Sequence, residues 1–176
     1  MATTLPTGGP EWKRVDLPVT RGLDRLASPA DRKDVMFSKI LVPVDLEESS
    51  RPGVEMAAAL ARESNGKILA VHVMTPASID VPDVPHEAKP LREAEQQATT
   101  RIDDLLNEVA PGIDAQTYLF FGDPSSEIVR AADALHADLI VITVKNRSRL
   151  GKLLMGSQNQ EIILSTPKPV LCVPKA

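Results

Sequence analysis

Apolar and polar positions along the chain fall into two regimes that meet near residue 36. Beyond it, short apolar runs alternate with longer segments whose apolar residues recur every three or four positions. The short runs predict buried strands and the periodic segments predict helices packed on one face. The strands fall at residues 39–44, 67–73, 115–121, 138–143 and 169–174. The helices fall near 51–64, 91–109, 126–135 and 156–164. Val54, Ala57, Ala58, Leu60 and Ala61 form the buried stripe of the first helix; Ile102, Leu105, Leu106 and Val109 form that of the second. Ser49 and Ser50 offer N-cap oxygens ahead of Pro52, and Asn65-Gly66 ends the helix that follows. Pro111-Gly112 stops the second helix, and Gly122-Asp-Pro-Ser-Ser126 feeds the third. A Pro-rich connection runs from Thr75 to Pro90, long for a compact domain.

Strand and helix alternate throughout this stretch. Such alternation implies right-handed crossovers and an open parallel sheet with helices on both faces, an α/β fold. Ligands of such sheets bind at the carboxyl ends of the strands, where the strand order reverses. The segments after Val44, Val73 and Thr143 therefore carry the functional interest.

Residues 1–35 are different. They hold Pro6, Gly8, Gly9, Pro10, Pro18 and Pro29 among mixed charges, with no sustained period. A segment of this kind buries too little apolar surface to offset its ordering entropy and reads as a flexible N-terminal arm. Leu23 to Ala27 allows one helical turn, and Trp12 allows a surface anchor. Met36 is a candidate native start, and residues 36–176 form the expected domain.

Composition narrows the function. Of 176 residues, 43% are hydrophobic and only 3% aromatic, so small aliphatic side chains must build the core. The net charge of −4 argues against a general nucleic-acid binder. No apolar run is long enough for membrane insertion, and no signal-peptide core is present, so a cytoplasmic location is expected. Cys172 is the only cysteine. It excludes a disulfide within the chain and reads as a small buried hydrophobe.

The loop from Thr143 to Ser157 is the richest candidate site. Gly156 and Ser157 open a helix, where unpaired amides favour an anion and the glycine lets a phosphate approach. Lys145, Arg147, Arg149 and Lys152 gather positive charge in an acidic chain. A capped helix beside a solvated basic loop would show the same residues. Asp45, directly after the first strand, can accept from a ribose hydroxyl or an adenine amine, or can cap the next helix. Pro43 suggests a flat apolar surface, and Val73 presents a strand end to a base edge. His72, His86 and His136 show no metal spacing and read as structural. No Walker A loop, G-x-G-x-x-G, G-x-S-x-G or H-E-x-x-H pattern occurs, which weighs against an efficient enzyme.

Taken in order, Lys39-Ile-Leu-Val-Pro-Val-Asp45, Leu69-Ala-Val-His-Val73, Gly122-Asp-Pro with Glu127-Ile128, Ala137-Asp-Leu-Ile-Val141, Leu153-Leu-Met-Gly-Ser157 and Pro167-Lys-Pro-Val-Leu-Cys-Val173 resemble the universal stress protein family. The resemblance covers about Phe37 to Pro174. It implies five parallel strands in the order 3-2-1-4-5, the adenine nucleotide alpha hydrolase-like architecture. It also implies a homodimer through the last strand, Pro169 to Pro174, and action on a protein partner that the sequence does not name. In nucleotide-binding members the phosphate motif is Gly, two residues, Gly, nine residues, then Gly-Ser or Gly-Thr. This chain keeps Gly156 and Ser157 but carries Thr143 and Asn146 where the first two glycines fall. Asn146 tolerates a left-handed turn; Thr143 either crowds a ligand or donates a hydroxyl to it. Carried over by motif, Pro43, Asp45 and Val73 hold adenine and ribose, and Asn146, Arg147, Gly156, Ser157 and Gln158 hold phosphates. The implied ligand is ATP or a related adenine nucleotide such as AMP, with Mg2+ accompanying it, and any hydrolysis is slow. The alternative is a dimeric stress adaptor that binds no nucleotide.

Overall fold

The computed structural model describes residues 37–75, 89–144 and 156–175, with the side chains of residues 89 and 90 left aside. The arm, Met36, His86, Lys145, Asn146, Arg147, Arg149 and Lys152 lie outside the described residues. The elements are β1 (Lys39–Pro43), a 3-10 turn (Glu48–Ser50), α1 (Arg51–Ser64), β2 (Lys67–Met74), α2 (Lys89–Val109), β3 (Asp114–Phe121), α3 (Pro124–Ala134), β4 (Leu139–Val144), α4 (Ser157–Ser165) and β5 (Val170–Pro174). The sheet order is β3-β2-β1-β4-β5 and every pair is parallel. The order expected from the family resemblance is therefore the one observed.

Strand alternation sorts the core into two layers. Ile40, Val42, Ile68, Ala70, Leu139 and Val141 share one cluster with Ala57, Ala58, Ile102 and Leu106 of α1 and α2. Leu41, Leu69, Val71, Ile140 and Ile142 share the other with Ile128, Ala131, Ala132 and Ile162 of α3 and α4. Burying each Ile, Leu or Val side chain contributes about 1.5–3 kcal/mol before entropy is counted. The fully buried alanines let α1 and α3 approach the sheet closely.

Local signals act largely as expected. Asn65 sits at φ 47° as the left-handed end of α1, and Gly112 at φ 79° follows α2. Asp123 caps α3, accepting from the Ser126 amide at 3.0 Å. That amide and the Ser125 and Ser126 hydroxyls hold the Asp123 carboxyl below its ordinary pKa. Arg51 grips Glu108 with two nitrogens at 3.0 Å, tying α1 to α2.

Three expectations need correction. Ser49 and Ser50 do not cap α1 with their side chains; both hydroxyls turn back to Asp45. Asp138 stands outside β4. Its carboxylate accepts from the Ser38 amide and hydroxyl and from the Lys39 amide, which anchors the start of β1. Cys172 is half-buried rather than buried, because β5 is the sheet edge and lacks a neighbour on one side. Partial burial pushes its thiol pKa upward.

Candidate functional site

The sheet parts where its strand order reverses, and Pro43 accounts for the parting. The Val44 amide bonds the Val71 carbonyl of β2 at 2.8 Å. By strand alternation the Pro43 nitrogen faces β4, and it carries no hydrogen to donate. The β1–β4 register accordingly ends at Leu41 opposite Ile140, whereas β1 and β2 stay in register through Pro43 and Val71.

A cavity of about 610 Å³ opens at this place, within the range of small-molecule sites. Its apolar lining comes from Pro43, Val71, Val73, Ile142 and Ile162, joined by Pro124 and Ile128 from α3. Asp45, Ser49, Ser50 and Thr143 add polar lining, and Gly156, Ser157, Gln158 and Asn159 bring the start of α4 to it. Seven of the nine expected site residues, Pro43, Asp45, Val73, Thr143, Gly156, Ser157 and Gln158, thus line one cavity. The other two, Asn146 and Arg147, lie outside the described residues.

Asp45 is not the cap of the next helix, since Glu47 stands at the cap of the 3-10 turn and Ser50 at that of α1; its carboxylate instead folds the turn that leads into them. Its Oδ1 accepts from the Glu47 amide at 3.1 Å and the Ser50 hydroxyl at 2.5 Å, and its Oδ2 accepts from the Ser49 hydroxyl. The carboxylate shapes the 3-10 turn while remaining exposed at the cavity. His72 also lines the cavity, and its Nδ1 lies 2.7 Å from the Val44 carbonyl.

The helix starts differ in how their amides are met. At α1 the Arg51 amide reaches the Glu48 carbonyl, Pro52 has none, and the Gly53 amide donates to Thr143 Oγ1 at 3.0 Å. At α3, Asp123 serves as cap. At α4 the cap residue is Gly156, which has no side chain to offer, and the first bond back is Gln160 N–H to the Gly156 carbonyl. The amides of Ser157, Gln158 and Asn159 find no acceptor among the described residues. A Cβ on Gly156 would meet nothing within 4 Å there, and its φ of −58° suits any residue. Neither its backbone nor its described neighbours demand a glycine, so the open space is what it contributes to the cavity.

Sequence reasoning missed Ser49 and Ser50 as cavity lining, and missed Asn159 altogether. Asn159 Nδ2 donates to the Thr143 carbonyl at 3.0 Å, joining α4 to β4. Its place in the first helical turn after Gly156-Ser157 was the available signal.

An open parallel sheet with helices on both faces and a cavity where the strand order reverses is the architecture of a doubly wound α/β domain. The profile of the Universal stress protein family matches residues 36–174. A universal stress protein of Thermus aquaticus is 30% identical over 138 residues, spanning 78% of this chain and 99% of that protein. Among solved structures, a universal stress protein from Archaeoglobus fulgidus superposes with a TM-score of 0.58 at 27% identity, covering 77% of this chain and 97% of its own. A universal stress protein from the same organism solved in complex with dAMP superposes with a TM-score of 0.54 at 24% identity, covering 78% and 98%. The chain belongs to the universal stress protein family.

Proposed function

We propose that the protein binds an adenine nucleotide, ATP or AMP, in the β1–β4 cavity and uses occupancy to regulate partner contacts in stress adaptation. The observation that carries this reading is the bare start of α4. Among the described residues, three amides without an acceptor and a glycine with open space border a cavity of about 610 Å³ with an apolar lining. Helix dipole and such amides favour a phosphate there, and the apolar lining suits a base. Pro43 and Val73 take the adenine, and Asp45 takes the ribose. Gly156, Ser157 and Gln158, with Asn146 and Arg147, take phosphates that Mg2+ accompanies. The dAMP complex of the Archaeoglobus relative supports the ligand class.

Turnover in this reading is slow at most. No described helix is long and apolar enough to cross a membrane. The working unit in this reading is a cytoplasmic homodimer joined through the edge strand from Pro169 to Pro174, since an unpaired apolar edge invites pairing. Calorimetric titration with millimolar ATP and AMP tests the reading. Binding heat and a raised melting temperature are expected. Their absence for both ligands would instead identify a nucleotide-free adaptor.

A further inference from the structure

Thr143 bonds to the start of α1 and to the start of α4 through different atoms. Its hydroxyl accepts from the Gly53 amide at 3.0 Å and faces the Ser50 carbonyl at 3.5 Å. These contacts hold the start of α1, and with it the turn whose serines grip Asp45. Its backbone carbonyl accepts from Asn159 Nδ2 at 3.0 Å, which holds the first turn of α4 where the amides are bare.

The hydroxyl needs room, and Gly53 leaves it. A Cβ at residue 53 would lie 2.6 Å from Thr143 Oγ1, closer than such atoms approach. Gly53 is fully helical and needs no left-handed backbone. Glycine inside a helix is otherwise disfavoured by its backbone entropy. The close approach of Thr143 accounts for its presence. The same geometry shows how a threonine is accommodated at residue 143. Its side chain lies on the α1 face of the sheet, whereas Ile162 of α4 packs on the other.

We propose that Thr143 is a positioning residue for nucleotide binding, with Gly53 as its partner. Through its hydroxyl and its carbonyl it sets the separation between the Asp45 turn and the α4 amides. The proposal rests on the nucleotide reading above and assigns to this residue a role the motif glycine cannot fill, since glycine has no hydroxyl to hold α1.

The test compares Thr143→Val, which keeps the shape but cannot accept the Gly53 amide, with Thr143→Ser, which can. ATP affinity is measured by calorimetry and amide hydrogen exchange at Gly53 by mass spectrometry. Thr143→Val is expected to weaken ATP binding about tenfold and to speed exchange at Gly53, whereas Thr143→Ser stays within about twofold of the unaltered protein. Wild-type affinity with unchanged Gly53 exchange in Thr143→Val overturns the proposal. If Thr143→Val does not fold, Gly53→Ala decides: it should lower the melting temperature, and adding Thr143→Gly should recover part of the loss. No recovery overturns the pairing. If the unaltered protein takes up no ATP, the nucleotide reading fails by itself. The exchange rates then decide whether Thr143 joins the two helix starts.

Discussion

Asp45 and Ser50 hold each other twice: the Ser50 hydroxyl donates to Asp45 Oδ1 at 2.5 Å and accepts from the Asp45 amide at 2.7 Å. With Ser49 and the Glu47 amide, this loads the carboxylate with three donors. A carboxylate has about four acceptor sites, so one remains for a ligand. A single sugar hydroxyl can use it. ATP and its 2′-deoxy form are therefore expected to bind within about threefold of each other in calorimetric titration. A much larger preference for ribose would show that the turn opens to read both hydroxyls.

Gly156 separates folding from binding. Its backbone angle is ordinary and its Cβ position is open among the described residues. Gly156→Val is expected to cost about 1 kcal/mol of stability at this cap position while placing a branched side chain against the α4 amides. Loss of ATP binding with a denaturation midpoint lowered by no more than this cost is the expected result. Retained binding would move the phosphates elsewhere.

Ile162 is the buried residue of α4 and is 1% exposed. Ile162→Ala leaves a cavity under the helix and is expected to cost about 2–5 kcal/mol in chemical denaturation. The same helix carries the bare amides, so ligand affinity should fall with stability. A variant that loses stability yet keeps full affinity would show that α4 is held from elsewhere.

Asp123 predicts a pH dependence. The Ser126 amide, followed by the Ser125 and Ser126 hydroxyls, lowers its folded-state pKa. Its stabilisation is complete above the unfolded value of about 4 and is lost as pH falls through the lower folded value. Asp123→Ala should thus lower the melting temperature at neutral pH, with the gap closing in acid. A gap that persists unchanged in strong acid would show that the carboxylate charge contributes nothing.

Much of this molecule was legible from the chain because its signals are local. Apolar runs and three-to-four spacing mark strands and helices whatever surrounds them. Asn65, Gly112 and Asp123 end or begin helices through their own backbone preferences or side chains. The boundaries shifted where a side chain found a distant partner. Asp138 left the fourth strand to bind amides one hundred residues earlier at the start of β1.

The sequence by itself determined the alternation of strands and helices, through it the parallel sheet, and the glycine at the start of α4; the strand order followed from the family resemblance. Only the tertiary structure decided what the polar residues there do. Ser49 and Ser50 look like caps from their position, yet they face Asp45. Thr143 reads from sequence as either crowding a ligand or donating a hydroxyl to it, yet its hydroxyl serves an amide ninety residues earlier. The reason is physical: a cap or a period needs only near neighbours. Which donor meets which acceptor across β1 and β4 depends on strand register and on where Pro43 ends it.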